Sequence, residues 1–582
     1  MAAPLSRSGA GRRPHARTAL TAGTTTLALC VWLSAATSPD APTLSITAAE
    51  LDAHVHFLAS DELEGRGVGL PGNERAARYV AAALARAGVG PLVPGYRQPF
   101  AIAAATLGPD NGLTIVSDRG QQDPDIRIGA DFYPLPLSAT AVVEGPLVFA
   151  GYGISAPELA YDDYAGLDVA GAVVVVLRHE PEEEVAASRF DGRELSGHAT
   201  FERKAEVARS HGAVGLLVIP DGLHEDSRHR LPDVQRMWPT GSTARTRHFD
   251  LAGQHEAEVS PLPVALVSPD RADRILYRSA STRSLTIDAI RDTIDETLVA
   301  VGAAGSVDSP ATYRLEGQRA RLGVDIVRER LELANVVGVI PGTDPVLREQ
   351  HVVIGAHLDH DGIDQRRRIY NGADDNASGT AALVEVAQAM ALAAKTGDGP
   401  RRSVIFAAWN AEEQGSLGSR HFVERARATS RNIVAMLNMD MVGRSEEVPQ
   451  ASQSRFRGLR PSSARDNANV LHLIGYSYAP DLARLVADAN ADIGLTLRSE
   501  YDDNVQNLLQ RSDQWPFLER GIPALFFTTG LHPDYHTPDD DADKIDYPKL
   551  ERVGRLVFRT AWQLVQQQPV PRFVEPTESD ER

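Results

Sequence analysis

Cysteine is almost missing from this sequence: among 582 residues only Cys30 occurs. It lies in an N-terminal stretch expected to be removed. The mature chain then has no disulfide, and no thiolate to act as nucleophile or metal ligand. A basic excess is missing as well, since 59 Lys plus Arg stand against 78 Asp plus Glu, a formal charge of -19. That balance repels polyanions and argues against nucleic acid or an anionic membrane as the main partner. No internal repeat stands out, and 47 Gly with 36 Pro are too few for a collagen-like or low-complexity chain. With 43% hydrophobic and 24% charged residues the composition is that of a globular protein, so wholesale disorder is excluded. At roughly 100–200 residues per domain, the length predicts more than one.

What is present begins with an export pattern. Arg7, Arg12, Arg13 and Arg17 precede an apolar run over 19–32, followed by Ser34, Ala35 and Ala36. A basic region, a short apolar core and small residues at the end form a secretory signal, with cleavage expected after Ala36. The run is short for about 30 Å of hydrocarbon and is broken by Thr21 and Thr24 to Thr26, which disfavours a retained anchor. Arg12-Arg13 leaves the Sec and twin-arginine routes both open. Removing 1–36 lowers Lys plus Arg from 59 to 55 against an unchanged 78 acids, so the mature charge is -23. The expected location is periplasmic or secreted.

Residues 37–47, rich in Ser, Pro and Thr, read as a linker. Helical periodicity covers 51–58 and 73–87, with Asn73 as N-cap and Gly88 as stop; GRGVGLPG (65–72) between them reads as a loop. A β-rich module is expected over 141–300, with strands at 146–150, 169–177 and 213–219 and a helix at 199–210. From Asn335 onward strands (335–340, 351–356, 403–409, 433–439, 470–475, 524–528) alternate with helices (378–394, 417–428, 481–491, 549–565). This predicts an α/β fold, a mostly parallel sheet with helices on both faces. The strands are nearly continuous apolar runs, as burial on both faces requires. Ligands in such sheets bind beyond the carboxyl ends of the strands.

Potential ligands follow those strand ends. His357-Leu358-Asp359 follows the strand at 351–356, and Asp374-Asp375 precedes the next helix. Glu412-Glu413 follows 403–409, Asp440 ends 433–439, and the segment 530–536 with His536 follows 524–528. Taken singly, a His-x-Asp is more often a surface pair, Glu-Glu a solvated charge pair and Asp-Asp a helix cap. Asp440 is harder to dismiss, because an acid closing the apolar strand IVAMLNMDMVG is costly to bury without a charged partner. Together they collect imidazoles and carboxylates at one fold edge. Carboxylates and imidazoles without thiols suit a hydrolytic metal site, and Zn²⁺ accepts both. Asp359, two residues beyond His357, is placed to accept the other imidazole N–H.

GAHLDH (355–360), NGADDNASGTAA (371–382), NAEEQGSLGS (410–419), NMDMVG (438–443) and YHTPDDDADKID (535–546) closely resemble the di-zinc aminopeptidase family of clan MH, across most of 325–565. LASDELEGRGVGLPGNERAARYV resembles the N-terminal part of that family's bacterial members. The module at 141–300 looks like an inserted protease-associated domain. The resemblance implies two Zn²⁺ per subunit, His357 and Asp440 on one, Glu413 and His536 on the other, and Asp375 bridging them. It implies Glu412 as general base, Asp359 as the partner orienting His357, and Tyr535 as a donor to the tetrahedral oxyanion. Gln514 in RSDQWPF (511–517) stands where many relatives carry His, a departure that bears on substrate contacts rather than metal binding.

The implied architecture is a discontinuous zinc peptidase domain over 48–140 and 301–570, interrupted by the module and closed by a tail at 571–582. The implied activity is removal of N-terminal residues from peptides. The alternatives are a glutamate carboxypeptidase-like hydrolase, for which Arg511 could supply a basic contact unless it is held in a structural ion pair, and a glutaminyl cyclase. A non-enzymatic binding protein similar to the transferrin receptor ectodomain would be expected to have lost the ligands that this sequence keeps.

Overall fold

Apolar β-runs from distant parts of the chain meet in one ten-stranded sheet. In the computed structural model, residues 40–576 are described except 118–119, 121, 124–125, 184, 186–187, 191–194, 221–247, 252–259, 278–285, 302–306, 309–310, 365, 398, 451–455, 457, 505 and 568. The signal-peptide and Cys30 readings, and the last six residues of the tail, lie outside the described residues.

The sheet runs His248–Leu251, Arg97–Leu107, Ile326–Ile340, Ser403–Trp409, Gln350–His357, Asn432–Met439, Ala524–Thr528, Val470–Ile474, Thr496–Arg498, with the short Gly90–Pro91 pairing beside Ile326–Ile340. Its four central strands, from Ser403–Trp409 to Ala524–Thr528, are mutually parallel and end at the same edge. The flanking pairs are antiparallel, except that Val470–Ile474 and Thr496–Arg498 run parallel, so the sheet is mixed. Ala48–Leu58, Pro71–Ala87, Gly379–Lys395 and Tyr547–Gln566 pack on one face around an aliphatic core, and Leu417–Ala428 lies on the other with Trp409, Phe422 and Phe517. Ala373–Lys395 is long and apolar enough to cross a bilayer, but it is mostly buried as the core helix of this layer.

A second, seven-stranded sheet follows the order Gly112–Ser117, Thr312–Val324, Ala141–Ala150, Val173–Leu177, Gly215–Ile219, Val264–Val267, Phe132–Pro134. It corrects the limits of the module read at 141–300. Gly112–Ser117 and Phe132–Pro134 come before that range and Thr312–Val324 after it, yet all belong to the same sheet, and one core spans Ala105 to Ile326. Pairing between strands some 200 residues apart leaves no local pattern to read. The corner between the sheets is at Asp325, whose carbonyl accepts the Gly108 N–H at 2.9 Å.

The expected helices form, with ends no more than three residues from those expected. Asn73 is the exception. The helix starts at Pro71 with Leu70 as cap, so Asn73 is an interior residue. Its side chain donates to the Arg66 carbonyl and to Asn410 Oδ1, each at 3.0 Å, which is why a cap-type residue sits inside the helix. Gly88 closes this helix in the left-handed conformation (φ 89°), as a stop requires.

Candidate metal centre

The four parallel strands deliver their C-terminal residues to one depression. His357 is the last residue of Gln350–His357 and is fully buried. Asp440 follows Asn432–Met439, with its N–H bonded to the Phe527 carbonyl of the neighbouring strand at 3.2 Å. Glu412 and Glu413 follow Ser403–Trp409 after Ala411, a non-glycine residue at φ 60°. His536 (φ 53°) and Met441 (φ 55°) hold the same left-handed conformation at or beside other site loops. Such backbone is costly and persists where surrounding contacts fix it, commonly at functional sites. The loop 371–375 depends on Gly372 (φ 57°), where a Cβ would stand 2.1 Å from the Asp375 carbonyl oxygen and 2.4 Å from His360 Cδ2.

Asp375 lies at the centre of the cluster. Its Oδ1 is 3.3 Å from His357 Nε2, which is 3.2 Å from Asp440 Oδ1. Its Oδ2 is 3.0 Å from His536 Nε2, which is 3.3 Å from Glu413 Oε2. One carboxylate thus faces two separate imidazole–carboxylate sets. Asp374 turns away: its Oδ1 accepts the Gly443 N–H at 2.6 Å and its Oδ2 lies 3.3 Å from His532 Nε2.

These groups fit divalent zinc. Two donors each about 2.0–2.1 Å from a tetrahedral ion stand about 3.3 Å apart, which matches the spacings around Asp375. Among the described residues, His357 Nε2 and Asp440 Oδ1 are buried without a hydrogen-bond partner, an arrangement that is expensive unless a cation satisfies both. Burial opposes charge on His357, but Asp440, Glu412 and Asp375 outweigh it and hold its pKa well above the ordinary value. Burial likewise opposes the charge on Asp375, yet His360, His357 and His536 hold it well below the carboxylate range. The donor set is nitrogen and oxygen only.

Two residues escaped the sequence reading. His360 Nδ1 lies 2.6 Å from Glu413 Oε1, and Asp361 Oδ2 lies 3.4 Å from His536 Nδ1. The only sequence signal was their place in HLDHD, directly after His357. Asp359 does not hold His357 as expected. His357 Nδ1 is 3.2 Å from the Asp359 backbone carbonyl and 4.0 Å from its Oδ1. The Asp359 carboxylate is occupied instead by the backbone N–H groups of Glu412 and Glu413. The carboxylate–imidazole pairing expected there is found at Asp361 and His536.

Beside the cluster lies a cleft with about 490 Å³ of empty space, its open mouth included. Glu412, Asp375, Asp440 and His536 border it on one side, and Met441, Ile474, Tyr501, Leu508, Phe526 and Leu531 form an apolar wall. Tyr535 also lines it. Burial first, and then Asp375 and Glu413, push its phenol pKa well above the usual value, so it remains a proton donor. Burial raises the Glu412 pKa well above that of an ordinary carboxylate.

Gln514 does not reach the cleft. It is fully buried, donates to the Leu509 carbonyl at 2.6 Å and accepts from Asn438 at 3.3 Å. Its neighbour Ser512 donates to Asp440 Oδ2 at 2.7 Å, so this segment orients a candidate ligand. Arg511 lines the cleft, exposed, and donates to Gln506 at 3.3 Å; among the described residues no ion pair is found for it, contrary to the structural-pair expectation. Asn376, part of a glycosylation triplet in sequence, is buried with its amide bonded to the Met439 carbonyl at 3.0 Å, and is closed to modification in the folded protein.

A wound sheet that brings two imidazole–carboxylate sets onto one shared aspartate defines the class, an α/β protein with a candidate two-metal centre at its strand ends. Residues 335–561 match the model of peptidase family M28. A probable zinc metalloprotease of Pyrenophora tritici-repentis is 30% identical over 224 residues, covering 35% of this chain and 45% of that protein. The probable glutamate carboxypeptidase AMP1 of Arabidopsis thaliana is 24% identical over 423 residues, covering 66% of this chain and 52% of that protein. The chain thus spans about half the length of these curated relatives. Among solved structures, the aminopeptidase from Aneurinibacillus sp. strain AM-1 superposes with a TM-score of 0.52 at 20% identity, covering 93% of this chain and 98% of that one. The likeness extends over both sheets and shows a shared fold.

Proposed function

We propose that this protein is a zinc-dependent exopeptidase that removes N-terminal residues from peptides. The observation that carries the reading is Asp375 facing two imidazole–carboxylate sets at 3.0–3.3 Å beside an apolar cleft. His357 and Asp440 would hold one zinc ion, Glu413 and His536 the other, and Asp375 would bridge them. When bound, the pair supplies Lewis acidity, lowering the pKa of a water toward about 7 and polarising the scissile carbonyl. Glu412 takes a proton at its carboxylate and delivers it to the leaving amine. Tyr535 donates its phenolic hydrogen to the developing oxyanion. The apolar wall receives a hydrophobic side chain and excludes water. The substrate's own α-amine is the group that would select N-termini.

A second reading keeps the same centre but takes peptides with a C-terminal acidic residue. Arg511, a cleft-lining cation for which no carboxylate partner is found among the described residues, favours it, and so does the name of the Arabidopsis relative. A screen of aminoacyl against C-terminal glutamyl substrates, with and without chelator, separates the two. Chelator-sensitive release from free N-termini supports the aminopeptidase; release only from N-blocked, C-terminally acidic peptides overturns it. We further propose export after removal of 1–36, and that the second sheet corresponds to an inserted protease-associated domain. Peptide substrate is the partner class proposed.

A further inference from the structure

The family match begins at 335, but the loop bearing Asp375 is held by a residue far upstream of it. Arg66 is 1% exposed, and among the described residues its guanidinium donates only to carbonyls: Nε to Leu358 at 2.9 Å, Nη1 to Leu58 at 2.5 Å and Asn371 at 2.7 Å, Nη2 to Gly372 at 2.8 Å. Among the described residues it forms no ion pair. A buried guanidinium without a carboxylate partner is costly, so its persistence needs a compensating purpose. Its four acceptors lie on three segments, and two of those carry candidate ligands: Leu358 follows His357, and Asn371-Gly372 leads into Asp375. The Arg66 backbone is tied in as well, its carbonyl accepting from Asn73 at 3.0 Å and from the His360 N–H at 3.3 Å.

The same loop is held from its other side by Asp540. Its carboxylate accepts the Asp374 N–H at 3.0 Å and the Asp375 N–H at 3.1 Å, and its backbone carbonyl accepts the Ala373 N–H at 3.0 Å. Backbone carbonyls before Asp375 and backbone N–H groups at Asp374 and Asp375 are thus fixed by opposite charges.

We propose that Arg66 and Asp540 are positioning residues that clamp the loop 371–375 and so set where Asp375 presents its two oxygens. The proposal rests on the zinc-site reading above. It makes the N-terminal segment part of the metal centre, although that segment lies outside the family match.

Arg66→Lys is the informative variant because it keeps the charge, and with it any electrostatic effect on cation binding, while one ammonium cannot reach carbonyls on three segments at once. Asp540→Asn is the second variant. Zinc is titrated into metal-free full-length protein by calorimetry, with kcat and KM measured on the zinc-loaded forms. The expected result is zinc binding weakened about 10–100-fold in each folded variant, and kcat lowered with KM little changed. Loss of thermal stability with zinc affinity and kcat unchanged would mark both as structural supports and overturn the proposal, as would failure of both variants to fold. If only one folds, its zinc affinity decides. An unmodified protein that takes up no zinc would sink the metal-site reading, and the proposal with it; zinc uptake matched by both variants overturns the clamp alone.

Discussion

Asp359 grips the turn that carries Glu412: its Oδ1 accepts the Glu412 backbone N–H at 3.1 Å, and its Oδ2 accepts that of Glu413 at 3.3 Å. Because Asp359 lies two residues beyond His357, one carboxylate links the first candidate ligand to the proposed base and to a ligand of the second set. Asp359→Ala is expected to weaken zinc binding and lower kcat by about 10–100-fold each, the usual cost of losing a partner behind a metal ligand. Zinc affinity and kcat measured on the same preparation check it; an unchanged kcat would remove Asp359 from the account.

Glu412 tests the proposed base separately from the metal. Glu412→Gln keeps shape and backbone contacts but cannot take a proton. It should retain wild-type zinc content and lose about 10²–10⁴-fold in kcat. Metal analysis alongside steady-state kinetics decides; near-normal turnover refutes the assignment.

His472, away from the proposed ligands, sets an acid limit on stability. Burial first, with help from Arg498 and Lys549, pushes its pKa from 6.5 down to about 3 in the folded protein. Between those values the unfolded chain binds the proton and the folded chain does not, so stability falls as pH drops through that window. Chemical denaturation of wild type and His472→Gln at pH 7 and pH 5 should show a smaller loss on acidification for the variant. Equal losses would contradict the assignment.

Trp409, fully buried, sits opposite His357 in the sheet register, with its ring 5.0 Å from Phe422 and 6.0 Å from Phe517. Trp409→Ala should cost about 3–5 kcal/mol of stability through lost burial and a residual cavity. The midpoint of a urea titration measures this.

The central strands and long helices were legible because their periodicity is local and strong, and Gly379–Lys395 lies within one residue of its expected start and end. Asp375, Glu413, Asp440 and His536 were legible as candidates because strand ends in a wound sheet share one edge. Arg66 was not, because nothing in GRGVGLPG reveals that its guanidinium reaches carbonyls near 358 and 372. Nor was the Asp361–His536 contact, which pairs positions 175 apart in sequence. The limits of the second sheet were missed for the same reason: Gly112–Ser117 and Thr312–Val324 pair only in three dimensions.

The central claim is that Asp375 is shared between two zinc ions, and diffraction at the zinc edge from crystals grown with zinc tests it most directly. Two anomalous peaks roughly 3.5–4 Å apart, one beside His357 and Asp440 and the other beside Glu413 and His536, are the result this account predicts. A single peak, or none at Asp375, would contradict it.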